Sequence, residues 1–328
     1  MDRFTAYRVE KNDKAVSASF VEMDEAALDA GEVDVDVRYA SINFKDALAA
    51  AGRMPVIRRF PCIGGIDAAG VVRASRSARF AAGDPVIVHS HGFGVSHHGG
   101  YAPRARVPAD WVNAVPKGLS LLQAITIGVA GYTAALAVEV MEANGLAPSK
   151  GKVLVNGASG GVASVAIDLL AQRGFHVVAA TRKAQESGYL RELGAAEVID
   201  PASLTVPKRP LESALWHGAV DSLGGAALSG LIATMSKDGV IASIGNAMGV
   251  EFSTTVMPFI LRGVRLVGVN SDNDVDVREH LWRRLASDLR PRHLDRIAQV
   301  RPFAELPRWI DAVVNGRAKG RTVIEMPG

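Results

Sequence analysis

A glycine-rich turn between an apolar segment and a predicted helix carries the clearest chemical signal in the sequence. The apolar run Val153–Asn156 leads into Gly157-Ala-Ser-Gly-Gly-Val162. Glycine lets the backbone approach a pyrophosphate closely, and the free N–H groups at the start of a helix bind an anion. The turn is therefore predicted to bind the diphosphate of a dinucleotide, although a tight strand-to-helix turn without a ligand could have the same residues. The residues predicted to face the diphosphate are Ser159, Gly160, Gly161 and Val162.

The end of the next apolar strand predicts which dinucleotide binds. A site for NAD usually has Asp or Glu about 20 residues downstream to hold the ribose 2′-hydroxyl. This strand ends instead in a hydroxyl followed by two cations, Thr181, Arg182 and Lys183. Because such groups form charge-assisted hydrogen bonds with a 2′-phosphate, they favour NADPH over NADH. The alternative is an exposed polar turn that binds no ligand.

The elements that position this turn alternate between strand and helix from about residue 121 onward. The strands are short, apolar and β-branched, as is typical of strands buried on both faces, and the alternation predicts a doubly wound parallel sheet. Asn246 follows the fifth strand and Asn270 ends the sixth, at the edge of the sheet where ligands bind. The six predicted strands are Lys152–Asn156, His176–Thr181, Glu197–Asp200, Ala219–Ser222, Val240–Ile244 and Val264–Asn270.

The segment before residue 120 has a different pattern. Short runs of alternating apolar residues, such as Val33–Val37 and Asp84–Val88, are separated by turns rich in glycine and proline, which predicts a small β-rich domain. A charged helix (Val277–Leu289) and a final strand (Arg321–Glu325) do not continue the strand–helix alternation, so they are predicted to return to this first domain. The predicted boundaries are residues 1–121 and 272–328 for the β-rich domain and 122–271 for the dinucleotide-binding domain.

Composition excludes several classes of function. The 328 residues include a single cysteine, Cys62, which excludes a disulfide framework and a zinc site built from several thiolates. The formal charge of +3 is small for the chain length, so nucleic-acid binding is not expected. The charged N-terminus does not resemble a signal peptide, and the apolar stretch Leu121–Ala130 is too short to span a bilayer. We therefore expect a soluble cytoplasmic protein with no membrane partner.

Motifs along nearly the whole chain resemble those of one protein family. They include Asn43-Phe-Lys-Asp-Ala-Leu48, Gly65-Ile-Asp-Ala-Ala-Gly70, Gly92-Phe-Gly-Val95, Ile127-Gly-Val-Ala-Gly-Tyr-Thr-Ala134, Pro258–Val264, Leu281–Ala286 and Gly320-Arg-Thr-Val323. The set resembles the medium-chain dehydrogenase/reductase superfamily, and within it the zinc-free branch of acrylyl-CoA reductases and quinone oxidoreductases. The resemblance implies an α/β fold in which a doubly wound parallel Rossmann sheet accompanies a β-rich, GroES-like catalytic domain. It also implies a homodimer that pairs through the sixth strand of the parallel sheet.

The positions of the zinc ligands in zinc-dependent relatives hold other residues here. Gly65-Ile66-Asp67 stands where those relatives have Gly-His-Glu, and Asn43 to Asp46 occupies the region of their catalytic cysteine. Further candidate ligands are four histidines that lie close in sequence: His89, His91, His97 and His98. Their spacing fits no tetrahedral nitrogen and sulfur site. No metal site is therefore predicted, and the histidines are interpreted as part of a loop that lines a cleft.

The resemblance implies catalytic roles for three residues of the first domain. Asn43 is expected to face the reacting end of the substrate as a hydrogen-bond donor or positioning group, or else to cap the helix Lys45–Ala50. Lys45 either acts near the substrate or forms a solvated ion pair with Asp46 at the start of that helix. Asp67 is expected to hold Lys45 or a main-chain group.

Other residues are expected to contact the cofactor and the substrate. The resemblance implies that Thr133 contacts the nicotinamide or its ribose and that Arg321 contacts the cofactor, unless Arg321 is a solvated strand residue. Phe44 replaces the tyrosine that is usual in this branch, which removes a phenolic proton donor beside Asn43. Arginines near it suit the phosphates of a CoA thioester, although a solvated basic loop could have the same composition. The predicted substrate-binding residues are Phe44, Arg53, Arg58 and Arg59.

The predicted reaction is the reduction of a polarised C=C bond by NADPH. Hydride would attack the β-carbon of an α,β-unsaturated carbonyl, and the enolate that develops would need hydrogen-bond donors and a proton. The resemblance implies a short 2-enoyl-CoA of the acrylyl-CoA type as substrate. Two alternatives stay open: an NADPH-dependent quinone or enone oxidoreductase of the same fold, and a non-catalytic NADPH-binding protein.

Overall fold

The computed structural model describes residues 3–13, 15–204 and 207–327. The chain forms two compact units, of which the first comprises Met1–Ala130, Asp272–Asp288 and Leu294–Gly328, and the second Gly131–Ser271 and Leu289–His293. These limits differ from the predicted boundaries at residues 122–130 and 289–293. The second difference has a local cause, because the buried carboxylate of Asp168 accepts hydrogen bonds from the backbone N and the ring Nδ1 of His293, both at 2.9 Å.

The first unit starts with strands that form two sheets. In chain order its elements are β1 Arg3–Asn12, β2 Ala15–Asp24, β3 Val33–Ile42, helix α1 Phe44–Ala50, β4 Cys62–Ile63, β5 Asp67–Ser75, β6 Pro85–His89, β7 Arg104–Val107 and β8 Val112–Ala114. β1 lies between β2 and β4 in the smaller sheet, and β3 pairs antiparallel with β5 and β7 in the larger one. The alternation of Val33, Val35 and Val37 places these side chains in the core, as predicted.

Helix α2 (Leu121–Ala143) is bent at Gly128, where φ is 48° and ψ is −158°. A positive φ is a conformation that glycine adopts without strain. The helix is long and apolar enough to cross a membrane. The apolar segment is therefore longer than the predicted stretch Leu121–Ala130, and the prediction that it is too short to span a bilayer is wrong. Of its most apolar window, however, 78% is buried inside the protein, which is the behaviour of a core helix.

The second unit contains a six-stranded parallel sheet in the order β11-β10-β9-β12-β13-β14. In chain order the elements are β9 Lys152–Asn156, α3 Gly161–Gln172, β10 His176–Ala180, α4 Ser187–Glu192, β11 Glu197–Ile199, β12 Trp216–Asp221, α5 Gly225–Thr234, β13 Met235–Ser243, α6 Met257–Arg262 and β14 Arg265–Gly268. The prediction of a doubly wound parallel Rossmann sheet is confirmed. The direction of strand addition reverses between β9 and β12, and this reversal is the point at which such sheets bind ligands.

The C-terminal segment completes the first unit. Its elements are α7 Val275–Leu285, α8 Leu294–Ile297, β15 Ala298–Pro302, α9 Leu306–Val314 and β16 Arg321–Glu325. β16 pairs antiparallel with β3, which brings the last strand of the chain into the larger sheet of the first unit. The register pairs Thr322 with Ile42, so Arg321 lies next to the end of β3, where helix α1 begins.

Candidate active site

The glycine-rich turn has the geometry of an anion-binding site. Gly157 adopts a φ of +59°, which favours glycine, and its carbonyl accepts a hydrogen bond from Gly160 N at 2.9 Å. Gly160 then caps the twelve-residue helix α3 in an extended conformation. Since the first N–H groups of a helix have no partner within it, those of Gly161 and Val162 are left to bind an anion. Gly160 is exposed and Gly161 and Val162 are half-buried, whereas Ser159 is buried.

Cations follow the strand next to this turn. The parallel register places Ala180, the last residue of β10, beside Asn156, the last residue of β9. Thr181 comes next and is buried, and its hydroxyl accepts a hydrogen bond from Lys183 N at 3.1 Å. Arg182 is exposed, and partial burial lowers the pKa of Lys183. The two cations therefore lie at the same sheet edge as the glycine turn, where a 2′-phosphate would need them.

A buried amide–carboxylate pair lies at the point where strand addition reverses. Asn156 Nδ2 donates to Asp221 Oδ1 at 2.5 Å, and Ser222 N donates to Asn156 Oδ1 at 2.7 Å. Asp221 also accepts a hydrogen bond from Gly224 N at 3.1 Å, and burial raises its pKa. The pair ties the ends of β9 and β12 together and so fixes the start of the glycine turn. Sequence reasoning missed this pair, although a polar residue at the end of each apolar strand was a signal for it.

Three further predicted cofactor contacts lie in the second unit. Asn246 follows β13 and Asn270 follows β14, and both are exposed at the carboxyl edge of the sheet. Thr133 is buried in the second half of α2, with 8% of its surface exposed. The geometry of the sheet thus brings Asn246 and Asn270 to the edge that also carries the glycine turn.

In the first unit, Asn43 caps helix α1. The carboxylate of Asp46 accepts hydrogen bonds through Oδ2 from the backbone N of Asn43 at 3.0 Å and from its side-chain Nδ2 at 3.1 Å. The other oxygen, Oδ1, accepts from Ile66 N at 2.9 Å. Burial and the nearby charge of Asp67 raise the pKa of Asp46 to about 7. A solvated ion pair between Lys45 and Asp46 is therefore wrong, because Asp46 faces the interior while Lys45 is exposed.

Asp67 and Arg321 form a fully buried ion pair. Arg321 Nη2 lies 3.1 Å from Asp67 Oδ2, and the two side chains are 2% and 0% exposed. Asp67 also accepts hydrogen bonds from Ser41 N at 3.2 Å and from Val129 N at 3.1 Å. Of the two expected partners of Asp67, main-chain groups or Lys45, the structure shows main-chain groups. The charged partner of Asp67 is Arg321. The alternative of a solvated Arg321 is wrong.

The predicted substrate-binding residues lie on the surface of the first unit. Phe44 is 39% exposed and stands beside Asn43 at the start of α1. Arg58 is exposed, whereas Arg59 forms an ion pair with Asp29 at 2.5 Å. Arg53 Nη2 donates weakly to Asn315 Oδ1 at 3.5 Å. All three arginines are exposed, and Arg59 has a carboxylate partner.

The histidines serve as internal hydrogen-bond partners. His89 is fully buried and accepts a hydrogen bond from Trp282 Nε1 at 3.0 Å, and burial holds its pKa well below the usual value. His98 Nδ1 accepts from Ile63 N at 3.0 Å. The interpretation that the histidines line a cleft is wrong for His89, because none of its surface is exposed. Among the described residues, no group of three or more His, Cys, Asp or Glu side chains is arranged to hold a metal ion.

A parallel Rossmann sheet with a glycine turn after its first strand, combined with a β-rich unit built from both ends of the chain, defines a class of dinucleotide-binding oxidoreductases. Comparison with known proteins agrees with this class. Residues 29–117 match the family described as the alcohol dehydrogenase GroES-like domain, and residues 161–287 match that described as zinc-binding dehydrogenase. The chain belongs to the medium-chain dehydrogenase/reductase superfamily, in its zinc-free branch.

Full-length relatives place the chain within this branch. It is 42% identical to the probable acrylyl-CoA reductase AcuI of Escherichia coli, with 98% of this chain and 99% of the relative covered. It is 41% identical to the putative quinone oxidoreductase YhfP of Bacillus subtilis, with the same coverage. The crystal structure of YhdH from Salmonella enterica in complex with NADP superposes with a TM-score of 0.95 at 42% identity, covering 98% and 100% of the two chains. YhfP has been solved with NAD bound.

Proposed function

We propose that this protein is an NADPH-dependent reductase that saturates the C=C bond of a short 2-enoyl-CoA without a metal. The observation that carries the proposal is the set Thr181, Arg182 and Lys183 at the carboxyl end of β10, beside the glycine turn and with no carboxylate among them. The zinc-free relatives support the same chemistry, since one is a probable acrylyl-CoA reductase and another is a structure with NADP bound.

The second unit offers the groups that NADPH needs. The N–H groups that open α3 would bind the diphosphate, and a Cβ at Gly160 would make a tight contact of 3.2 Å with the Gly157 carbonyl oxygen. Arg182 and Lys183 would bind the 2′-phosphate. Asn246, Asn270 and Thr133 are proposed as further contacts along the dinucleotide. When bound, NADPH supplies a hydride from C4 of its nicotinamide.

The first unit offers groups for the substrate. Asn43 would donate a hydrogen bond to the carbonyl oxygen of the thioester, where negative charge develops as hydride reaches the β-carbon. Phe44 would contact the acyl chain, and Arg58 would pair with a phosphate of CoA. Lys45, exposed beside Asn43, is proposed to attract the same anionic substrate or to deliver a proton through water to the α-carbon.

A second candidate function is the reduction of an uncharged quinone or enone. The ion pair between Arg59 and Asp29 favours this alternative, because it removes one of three cations from the surface expected to bind CoA. YhfP, the relative at 41% identity, is described as a putative quinone oxidoreductase.

The deciding experiment measures NADPH oxidation with acrylyl-CoA, crotonyl-CoA, a simple enone and a quinone side by side. The proposal expects the highest kcat/KM with a CoA thioester, and a KM for that thioester that rises with salt and with the double substitution Arg58→Ala and Arg59→Ala. Equal turnover of uncharged enones would support the second candidate. Tight NADPH binding without any turnover would support a non-catalytic binding protein.

We also propose that two copies of the chain associate through the second unit. β14 ends the parallel sheet, and the neighbouring helix α6 exposes large apolar side chains. In this helix Ile260 is 70% exposed and Leu261 58%, and Val256, which precedes the helix, is 64% exposed. The last strand of a sheet, beside an apolar surface, is a site that a second copy can pair with and cover.

A further inference from the structure

We infer that Asp46 and Arg321 are positioning residues that together orient the carboxamide of Asn43, so that one of its N–H bonds remains for the carbonyl oxygen of the substrate. The inference rests on the proposed function, because it requires that Asn43 face the reacting end of a substrate. It departs from the expectation that Arg321 contacts the cofactor.

The two ends of the Asn43 carboxamide have partners of opposite charge. Its Oδ1 accepts a hydrogen bond from Arg321 Nη1 at 2.8 Å, and its Nδ2 donates to Asp46 Oδ2 at 3.1 Å. A flipped carboxamide would place N–H against the guanidinium and a carbonyl against the carboxylate, so only one orientation is favourable. An amide nitrogen has two hydrogens, and Asp46 uses one of them. The second hydrogen is the donor that the orientation preserves.

Arg321 is too fully engaged with the protein to act on a cofactor directly. Besides Asn43 and Asp67, its guanidinium donates to Thr126 O at 3.2 Å and to the hydroxyl of Ser41. Only 2% of its surface is exposed. Moving such a buried guanidinium to a ligand would leave the carboxylate of Asp67 unpaired in the interior, which is strongly unfavourable. Its contribution therefore passes through Asn43.

Asp46 is held just as rigidly. It is 4% exposed and accepts three N–H groups, two from Asn43 and one from Ile66, the residue before Asp67. The charged or titratable groups around it are Asp67 and Arg321 in the same network and the buried Tyr101, whose hydroxyl donates to Ser41 O at 3.2 Å. Because its three donors come from two chain segments, Asp46 fixes the start of α1 relative to β5 and thereby the place of Asn43.

The test is the substitution Asp46→Asn, with Asp288→Asn as the matched control on an exposed carboxylate. Asn43 and Ile66 donate to different oxygens of Asp46, and an asparagine has NH2 in place of one of them, so it cannot accept at both positions. With acrylyl-CoA we expect kcat to fall about tenfold or more. A misdirected Asn43 would lose its hydrogen bond to the substrate oxygen mainly in the transition state, where the negative charge develops. KM for the thioester and Kd for NADPH, measured by fluorescence titration, should stay within about threefold. Asp288→Asn should match the wild type.

Arg321→Lys is the second variant, in case Asp46→Asn does not fold. It keeps a positive charge beside Asp67 but cannot reach Asn43, Asp67 and Thr126 with a single nitrogen. We expect kcat to fall while KM and NADPH affinity hold. A kcat within about twofold of wild type in a folded variant would overturn the inference. It would also be overturned if both variants had a lower kcat, a higher KM, a weaker affinity for NADPH and a lower Tm. An inactive wild type would instead overturn the proposed function.

Discussion

Two adjacent positively charged side chains would distinguish NADPH from NADH. Arg182 is exposed and Lys183 is half-buried after β10, and both are proposed to pair with the 2′-phosphate. We predict that the double substitution Arg182→Ala and Lys183→Ala raises Kd for NADPH about tenfold or more and leaves Kd for NADH nearly unchanged. Fluorescence titration with each nucleotide measures both constants.

The chain offers a matched control for this prediction. Lys208 and Arg209 are another adjacent pair of cations on the second unit, and the Arg209 side chain is 71% exposed. Replacing both with alanine should change neither constant. Equal weakening of NADH and NADPH by the Arg182 and Lys183 variant would contradict the assignment, because NADH has no 2′-phosphate.

The raised pKa of Asp46 predicts that catalysis depends on pH. Its pKa is raised to about 7 by burial and by the charge of Asp67. Only the ionised carboxylate accepts hydrogen bonds fully from Asn43, so kcat should be highest above this pKa and should fall as the pH decreases through about 7. The measurement is kcat for acrylyl-CoA between pH 5.5 and 9. Asp46→Asn should lack this acid limb, and a wild-type kcat that is flat over the range would exclude a role for Asp46 ionisation.

Single residues also show how far the sequence could predict the site. The places of the glycine turn after β9 and of the cations after β10 could be predicted, because each feature is contained in one short turn. The network of Asn43, Asp46 and Arg321 could not, because Arg321 lies 278 residues from Asn43 in the chain. A charged residue in an isolated sequence is most simply interpreted as solvated, and only the pairing of β16 with β3 brings Arg321 to its partners.

The bend in helix α2 depends on a single glycine. A Cβ at Gly128 would lie 2.5 Å from Asp67 Oδ2 and 2.7 Å from Arg321 Nη2, and φ there is positive. We therefore predict that Gly128→Ala lowers the free energy of unfolding by about 2 kcal/mol or more, through backbone strain and disturbance of the buried ion pair. Thermal unfolding measures the effect as a lower Tm.

Gly188→Ala is the control for this prediction. Gly188 lies in helix α4, and a Cβ there would meet no atom within 4 Å. Alanine is favoured over glycine in a helix, so this Tm should stay constant or rise slightly. A Gly128→Ala variant as stable as wild type would show that the bend does not need a glycine.

Elements were predictable where the pattern was strong. The alternation of apolar strands and helices predicted all six strands of the parallel sheet, with differences of a few residues at their ends. The hairpin of β1 and β2 was missed, because the charged residues at the N-terminus masked the apolar residues Phe4, Ala6 and Val9. Pairing with β2 and β4 buries these three side chains. Of these two partners, β4 lies far along the chain, and a local pattern does not contain it.

At the scale of the whole molecule, the apolar surface of α6 predicts self-association. We expect Ile260→Glu to shift the protein from dimer to monomer, because a carboxylate in a buried apolar interface is strongly unfavourable. Light scattering coupled to size-exclusion chromatography measures the mass. Val277→Glu, at another exposed apolar residue, in the first unit, should leave the mass unchanged. A wild type that runs as a monomer of 34.6 kDa would contradict the proposed dimer.

The most direct test of the proposed function follows the hydride itself. NADPH carrying deuterium at C4 is mixed with the protein and acrylyl-CoA, and the thioester product is analysed by mass spectrometry. The experiment is run twice, once with the deuterium on each face of the nicotinamide ring. The proposal predicts propionyl-CoA formed in equal amount to the NADPH consumed, with deuterium at the β-carbon from one of the two faces. NADPH consumed without deuterium in the thioester, or no propionyl-CoA at all, would contradict it.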